Sequence, residues 1–220
     1  MNTSTNMTTN DRTADFFDGY AGGFNAIYGN DNTIVNRLVN KAFRGAMRER
    51  FERTIAGCSP VEGASVLDVG CGPGHYGVAL ARAGAKTIVG LDFAKGMLET
   101  AKRNAEAANV SDKCSWVEGD FVTTDFRRKF DYSILMGFMD YMADPIAVVK
   151  KAAEVTEKRA FFSFPAEGGF LAWQRKLRYK SRCDLYLYTQ GHVDAIMRHT
   201  GKRFLIQSLG RDHFVTLYAE

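Results

Sequence analysis

Cysteine is scarce, with four residues in 220. Cys58, Cys71, Cys114 and Cys183 stand at no metal-ligand spacing, and they are too sparse for a disulfide framework. They read as free thiols in a reducing compartment. No apolar run approaches the roughly 18 residues that a membrane span needs. The opening stretch, MNTSTNMTTNDRTAD, has no basic cluster followed by an apolar core, so no secretory signal is expected and the expected location is cytoplasmic. Charge of one sign is not in large excess either. The net charge is +4, less than a dedicated duplex-DNA binder usually carries, so it favours anionic partners only mildly. No internal repeat is visible. What is present is ordinary globular composition, 45% hydrophobic and 25% charged, enough for one domain with its own core.

Residues 1–13 are Thr, Asn and Ser with almost nothing to bury, and are expected to be a disordered tail. The single domain expected over 14–220 begins with a helical cap at 14–57. In it, Phe16, Phe17, Tyr20, Phe24 and Tyr28 recur near helical spacing. Asp31-Asn32-Thr33 offers an N-cap to a long amphipathic run with Ile34, Leu38, Ala42, Met47, Phe51 and Ile55 on one face, and Gly57 is a natural stop. From Ser65 the texture changes. Strands are predicted at 66–69, 87–91, 115–118, 132–136 and 159–164, and helices at 74–82, 94–109 and from the Asp144-Pro145 cap to about 157. Such alternation implies a parallel sheet with right-handed crossovers and helices on both faces. After Pro165 the pattern breaks. A basic helical insertion occupies about 167–182, and the stretch 166–188 is expected to cover the acceptor side of the site. A helix at about 190–199 follows. Segments 203–208 and 213–219, joined by a turn at Gly210, read as a closing antiparallel hairpin.

The most informative stretch is Val66-Leu67-Asp68-Val69-Gly70-Cys71-Gly72-Pro73-Gly74. An apolar strand enters a loop with glycine at every second position, and a helix follows. Glycine permits a sharp turn and close ligand approach, and the helix start supplies unpaired N–H groups and a positive dipole end. In an open parallel sheet, ligands sit at the carboxyl ends of the strands. Gly72–Gly77 matches the dinucleotide pattern G-x-G-x-x-G, and Asp92 lies 20 residues beyond Gly72, where a ribose-binding acid is expected. Asp68 argues otherwise. It lies two residues ahead of the first glycine, where it would repel a pyrophosphate and suit a ligand with a cationic amine.

These residues resemble the class I S-adenosylmethionine-dependent methyltransferases. Residues 66–74 are similar to that family's first motif nearly residue for residue. Asp92, in Gly-Leu-Asp-Phe-Ala-Lys-Gly-Met-Leu (90–98), resembles the acid that holds both ribose hydroxyls; Ala94 stands where many members have serine. Trp116-Val117-Glu118-Gly119-Asp120-Phe121 resembles the adenine motif, and 130–136 the fourth strand. The resemblance implies a Rossmann-like α/β fold, a seven-stranded, doubly wound, mostly parallel sheet with the C-terminal hairpin, and S-adenosylmethionine as cofactor. The implied cofactor residues are Asp68, Gly70, Cys71, Gly72, Gly74, Asp92, Phe93, Met97, Asp120, Phe121 and Met136. The aromatic stripe Phe16–Tyr28 has two readings, a lid over the cofactor with Tyr20 near the sulfonium, or packing against the first long helix. Asp120 also has an alternative role as a strand-end cap. No metal is implied.

The acceptor side lies outside those motifs. Asp140, in Gly137-Phe138-Met139-Asp140-Tyr141, stands near where many relatives have histidine, and is the candidate base or acceptor-positioning group. Asp140-Tyr141-Met142-Ala143-Asp144-Pro145 and Arg175-Lys176-Leu177-Arg178-Tyr179 resemble a bacterial subgroup of the family. On that basis Tyr141, Arg175, Arg178 and Tyr179 are candidate acceptor contacts, the arginines attracting an anionic molecule. His75 reads as structural at the start of the loop helix, and His192, His199 and His213 have helix or strand contexts and no visible partner. The four prolines follow Ser59, Gly72, Asp144 and Phe164, so neither Asn-Pro-Pro-Tyr nor a Pro-Cys nucleophile is present, and no nucleic-acid module is appended. A small, anionic acceptor is therefore expected, with no nucleic-acid partner. RNA or protein methylation, a nicotinamide-dependent oxidoreductase and a non-catalytic cofactor-binding protein stay open as alternatives, as does the oligomeric state.

Overall fold

A computed structural model describes residues 34–168 and 185–220, with side chains from Gly45 onward. The expected tail, the aromatic stripe Phe16–Tyr28 with its Tyr20 lid, and most of the basic insertion with Arg175, Arg178 and Tyr179 lie outside the described residues.

The helix α1 (Ile34–Gly57) leads into the alternating part of the chain. There follow β1 (Ser65–Val69), α2 (His75–Arg82), β2 (Thr87–Asp92), α3 (Lys95–Ala107), β3 (Cys114–Glu118), β4 (Phe130–Leu135), α4 (Pro145–Val155), β5 (Thr156–Pro165), α5 (Gln190–Arg198), β6 (Arg203–Leu209) and β7 (Asp212–Tyr218). The seven strands form one sheet in the order β3-β2-β1-β4-β5-β7-β6. The pairs from β3 to β5 are parallel; β7 runs antiparallel between β5 and β6. The chain winds outward from β1 to β3 and then returns to β4 on the other side of β1. The crevice between the carboxyl ends of β1 and β4 is therefore the switch point, where open α/β sheets receive ligands.

The central strands β1, β4 and β5 are largely buried on both faces, as continuous apolar runs in a helix-covered parallel sheet require, while β3 and β6 are more exposed. Consecutive side chains take opposite faces. Leu67, Val69, Phe162 and Phe164 pack with Val148 and Val149 of α4, whereas Val66, Ile134 and Phe161 pack with Leu80 and Ala81 of α2. Each such side chain contributes about 1.5–3 kcal/mol by leaving water. β7 carries Phe214, Val215 and Leu217 inward and takes the inner hairpin place; β6, with Leu205 exposed, forms the edge.

Two sequence expectations shift. The helix expected to reach about 157 ends at Val155, and β5 begins at Thr156 instead of 159. Thr156 makes the abrupt change workable: its hydroxyl bonds the Ala152 carbonyl at 2.6 Å and meets Ser133 Oγ at 2.7 Å. In the described part of α1, Thr54 is fully buried, with Arg50, Phe51 and Ile55 half-buried beside it, and buried Cys58 follows the helix end. The inward stripe is thus more polar than the apolar spacing predicted. Asp144 caps α4 as expected, accepting the Ala147 N–H at 3.0 Å with Pro145 in the first turn.

At the opposite end of the sheet from the glycine loop, Asp131 ties three strands together. It accepts from Ser65 N (2.8 Å) and Ser65 Oγ (2.9 Å) and pairs with Lys158 at 2.8 Å. Burial works against its charge, but Lys158 and Ser65 hold its carboxyl below the usual range.

Candidate active site

The loop after β1 turns through Gly70, Gly72 and Gly74, with φ of 62°, 50° and 76°. Gly74 is the N-cap of α2. A Cβ there would lie 2.5 Å from Trp116 and 3.0 Å from Ala101, so left-handed backbone and close packing both demand glycine. Gly72 differs: its φ is positive, but a Cβ would meet nothing within 4 Å. Asp92 fastens this loop to β2. Its Oδ2 accepts Gly72 N–H at 2.8 Å and its Oδ1 accepts Ala94 N–H at 2.9 Å. Cys71 locks beneath, its amide donating to Leu91 O at 3.0 Å. Burial, then Asp68 and Asp92, push its thiol up, so it is no nucleophile.

Asp68 lies deeper, 2% exposed, and accepts the Gly77 N–H from the first turn of α2 at 3.2 Å. Burial pushes its carboxyl up to about 7; the Gly77 bond opposes this and Asp92 adds to it. Only a cation brought to this spot would hold the group fully ionised at neutral pH. His75, at the start of the same helix, is pushed down by burial.

A small cleft opens at the carboxyl ends of these strands. It is lined by Gly70, Leu91, Asp92, Phe93, Gly119, Asp120, Phe121, Phe138 and Met142. Of the expected cofactor residues, Gly70, Asp92, Phe93, Asp120 and Phe121 line it. Asp68, Cys71, Gly72, Gly74, Met97 and Met136 lie outside that lining; Cys71, Met97 and Met136 are buried. Asp120 accepts Thr123 N–H at 3.1 Å, so it closes the turn after β3 and also faces the cleft. Phe121 meets Phe138 edge-on at 6.1 Å. Leu91, Gly119, Phe138 and Met142 were not singled out as site residues from the sequence. Apolar residues beside a strand end look like core until the turn that carries them is placed.

That turn, 137–142, follows β4 and contains the short 3₁₀ segment Met139–Tyr141. It is held from two sides. Gly137 N–H donates to Ser163 Oγ on β5 at 2.8 Å, while Tyr186 N–H donates to Asp140 O at 2.9 Å and Tyr188 OH to Met139 O at 3.3 Å. Asp140 is 4% exposed, and Tyr141 is half-buried. The Asp140 charge acts on two neighbours. Burial, then Asp140 and Tyr186, push the Tyr188 phenol up. Burial works against the charge of Arg50, and Tyr76, Asp212 and Asp140 outweigh it. His213, without a visible partner in the sequence, has Nε2 3.1 Å from Tyr188 O. Among the described residues no group of three or more His, Cys, Asp or Glu could hold a metal ion, and no helix is long and apolar enough to cross a membrane.

Residues 66–159 match the family model described as "Methyltransferase domain". The whole fold is similar to magnesium protoporphyrin IX methyltransferase from Synechocystis PCC 6803 with bound S-adenosylhomocysteine. The TM-score is 0.74 at 19% identity, over 94% of this chain and 97% of that one. Residues 66–159 thus carry a methyltransferase domain. Two curated relatives of this methyltransferase domain carry the name ubiquinone biosynthesis O-methyltransferase. The one from Neisseria meningitidis serogroup C (strain 053442) is 37% identical over 114 residues, 50% of this chain and 47% of the relative. That from Coxiella burnetii (strain Dugway 5J108-111) is 32% identical over 107 residues, 47% of this chain and 44% of the relative. The chain thus spans about half the length of the curated relatives it matches.

The methyltransferase cleft fits the cofactor of its class. S-adenosylmethionine supplies a methyl group already activated by a sulfonium. A diol needs a charged acceptor such as Asp92, which gives charge-assisted bonds. An adenine ring needs an apolar slot and an acceptor for its amine; of the cleft-lining residues, Phe93, Phe121 and Phe138 would offer the first and Asp120 the second.

Proposed function

We propose that this methyltransferase domain methylates an oxygen of a small, anionic acceptor, with Asp140 as the proton-accepting or acceptor-positioning group. The observation that carries this reading is the position of Asp140. It is buried on the turn whose Phe138 and Met142 wall the nucleoside cleft, at the ends of β4 and β5. The names of the Neisseria and Synechocystis relatives support a small-molecule acceptor, and the former an oxygen.

In this reading the cleft aligns donor and acceptor and excludes water, an effect worth about 7–11 kcal/mol in favourable cases. Asp140 takes the proton of a weakly acidic hydroxyl, which adds about 10²–10⁴-fold. A carboxylate acceptor needs no base, and its positioning then falls to the arginines. Tyr141, Arg175, Arg178 and Tyr179 are the proposed acceptor contacts, the arginines for its negative charge, and Tyr20 is proposed as a cofactor contact.

The test is release of S-adenosylhomocysteine over a panel of small phenols and carboxylates with neutral analogues. Faster turnover of the anionic members is expected, with a raised KM after Arg175→Ala and Arg178→Ala. Equal use of neutral members removes the anionic part of the reading. Methylation of RNA or protein alone replaces the small acceptor.

A further inference from the structure

Arg50 is the least expected residue near the site. It lies on α1, outside every motif, with only 14% of its side chain exposed. One nitrogen, Nη1, serves two partners: Asp212 Oδ2 at 3.1 Å on β7 and Ser163 Oγ at 3.3 Å on β5. Its Nε is buried and makes no hydrogen bond. A buried guanidinium with an orphaned N–H is expensive as mere packing, because breaking or omitting a partner leaves a desolvation penalty uncompensated. The geometry shows where the group acts. Ser163 Oγ, which accepts from Arg50, also accepts Gly137 N–H at 2.8 Å. Gly137 opens the turn that carries Phe138 and Met142 into the cofactor cleft, and its φ of 73° leaves the turn little latitude in direction.

We propose that Arg50 is a positioning residue for the cofactor cleft: acting through Ser163, it fixes the turn 137–142 whose Phe138 and Met142 form the wall against the nucleoside. The charge of Arg50 aligns the Ser163 hydroxyl so that its lone pairs face Arg50 and Gly137. Asp212 holds the guanidinium in place from the hairpin side. The wall of the cleft is thereby set by residues from α1, β5 and β7, none of which belongs to a cofactor motif. The inference rests on the cleft being the S-adenosylmethionine site.

The probe is S-adenosylhomocysteine, titrated by calorimetry into the full chain, with hydrogen exchange followed over 137–142. Ser163→Ala is expected to weaken binding about three- to tenfold, the size of one lost hydrogen bond. It should also speed exchange of the Gly137 amide. The pair Arg50→Met with Asp212→Asn, which leaves no lone charge behind, should do the same, and the triple variant should be no worse than either alone, since the residues act in series. If the pair fails to fold, Ser163→Ala decides. Affinity unchanged within twofold, or affinity lowered with exchange over 137–142 unaltered, overturns the proposal. No binding by the unaltered chain overturns the cofactor reading itself and is seen before any variant is made.

Discussion

Asp92 joins the end of β2 to the middle of the glycine loop: its Oδ2 accepts the Gly72 N–H at 2.8 Å while its Oδ1 accepts from Ala94 at 2.9 Å. One carboxylate thus shapes the loop and faces the cleft. Asp92→Asn keeps the shape but replaces one acceptor oxygen with a donor. It is expected to weaken S-adenosylhomocysteine binding at least tenfold, since bonds to charged groups are worth about 1.5–3 kcal/mol. Calorimetry checks this, and an affinity within twofold of the unaltered chain refutes the role.

The loop glycines separate into two kinds. Gly74→Ala drives a Cβ to 2.5 Å from Trp116 in left-handed backbone, and should cost about 1–3 kcal/mol of stability or more. Gly72→Ala has open space around the Cβ and suffers only the backbone penalty of about 1 kcal/mol. Urea unfolding should rank Gly74→Ala as the more damaging. Equal midpoints would mean that Trp116 yields easily.

Asp68 predicts a pH dependence of definite sign. Its carboxyl is at about 7 in the folded chain, against an ordinary value of 3.8. The folded state therefore holds the proton more tightly than the unfolded one, so this group's contribution to stability falls as pH rises from about 4 to about 7 and is level above that. Asp68→Asn should flatten that slope and raise stability at pH 8 relative to the unaltered chain. Denaturant unfolding at pH 5, 6, 7 and 8 measures it; a slope identical in the variant removes Asp68 as its source. A cationic ligand amine reverses the penalty, so the same variant should bind S-adenosylhomocysteine less well at pH 8.

Asp140 separates chemistry from cofactor binding. Asp140→Asn should leave the dissociation constant of S-adenosylhomocysteine within about threefold, because Asp140 is not part of the cleft lining. Turnover of a phenolic acceptor should fall about 10²–10⁴-fold if the carboxylate takes the proton. A small drop confined to KM instead assigns it to positioning.

The parts legible in the sequence are those decided within a few residues. Asp68 and the glycines of 70–74 are consecutive, so strand, sharp turn and helix start are written in one stretch. Asp92 terminates an apolar run at the length of a strand, and the Asp144-Pro145 cap is a local hydrogen bond waiting for a helix. Alternating apolar runs and helical periods announce a helix-covered parallel sheet because each run must bury both faces.

The rest depends on residues far apart in the chain, which burial alone brings together. Trp116 explains why Gly74 must be glycine, yet nothing near either residue says so. Ser163 and Arg50 are separated by 113 positions, and only the docking of α1 across the sheet gives them a shared hydrogen bond. An arginine in a helix reads as solvated until its neighbours are known, because its charge is cheap in water and tolerable inside only with partners such as Asp212. The order of β6 and β7 likewise follows from which strand buries more apolar surface against β5, a comparison that exists only once the sheet has formed.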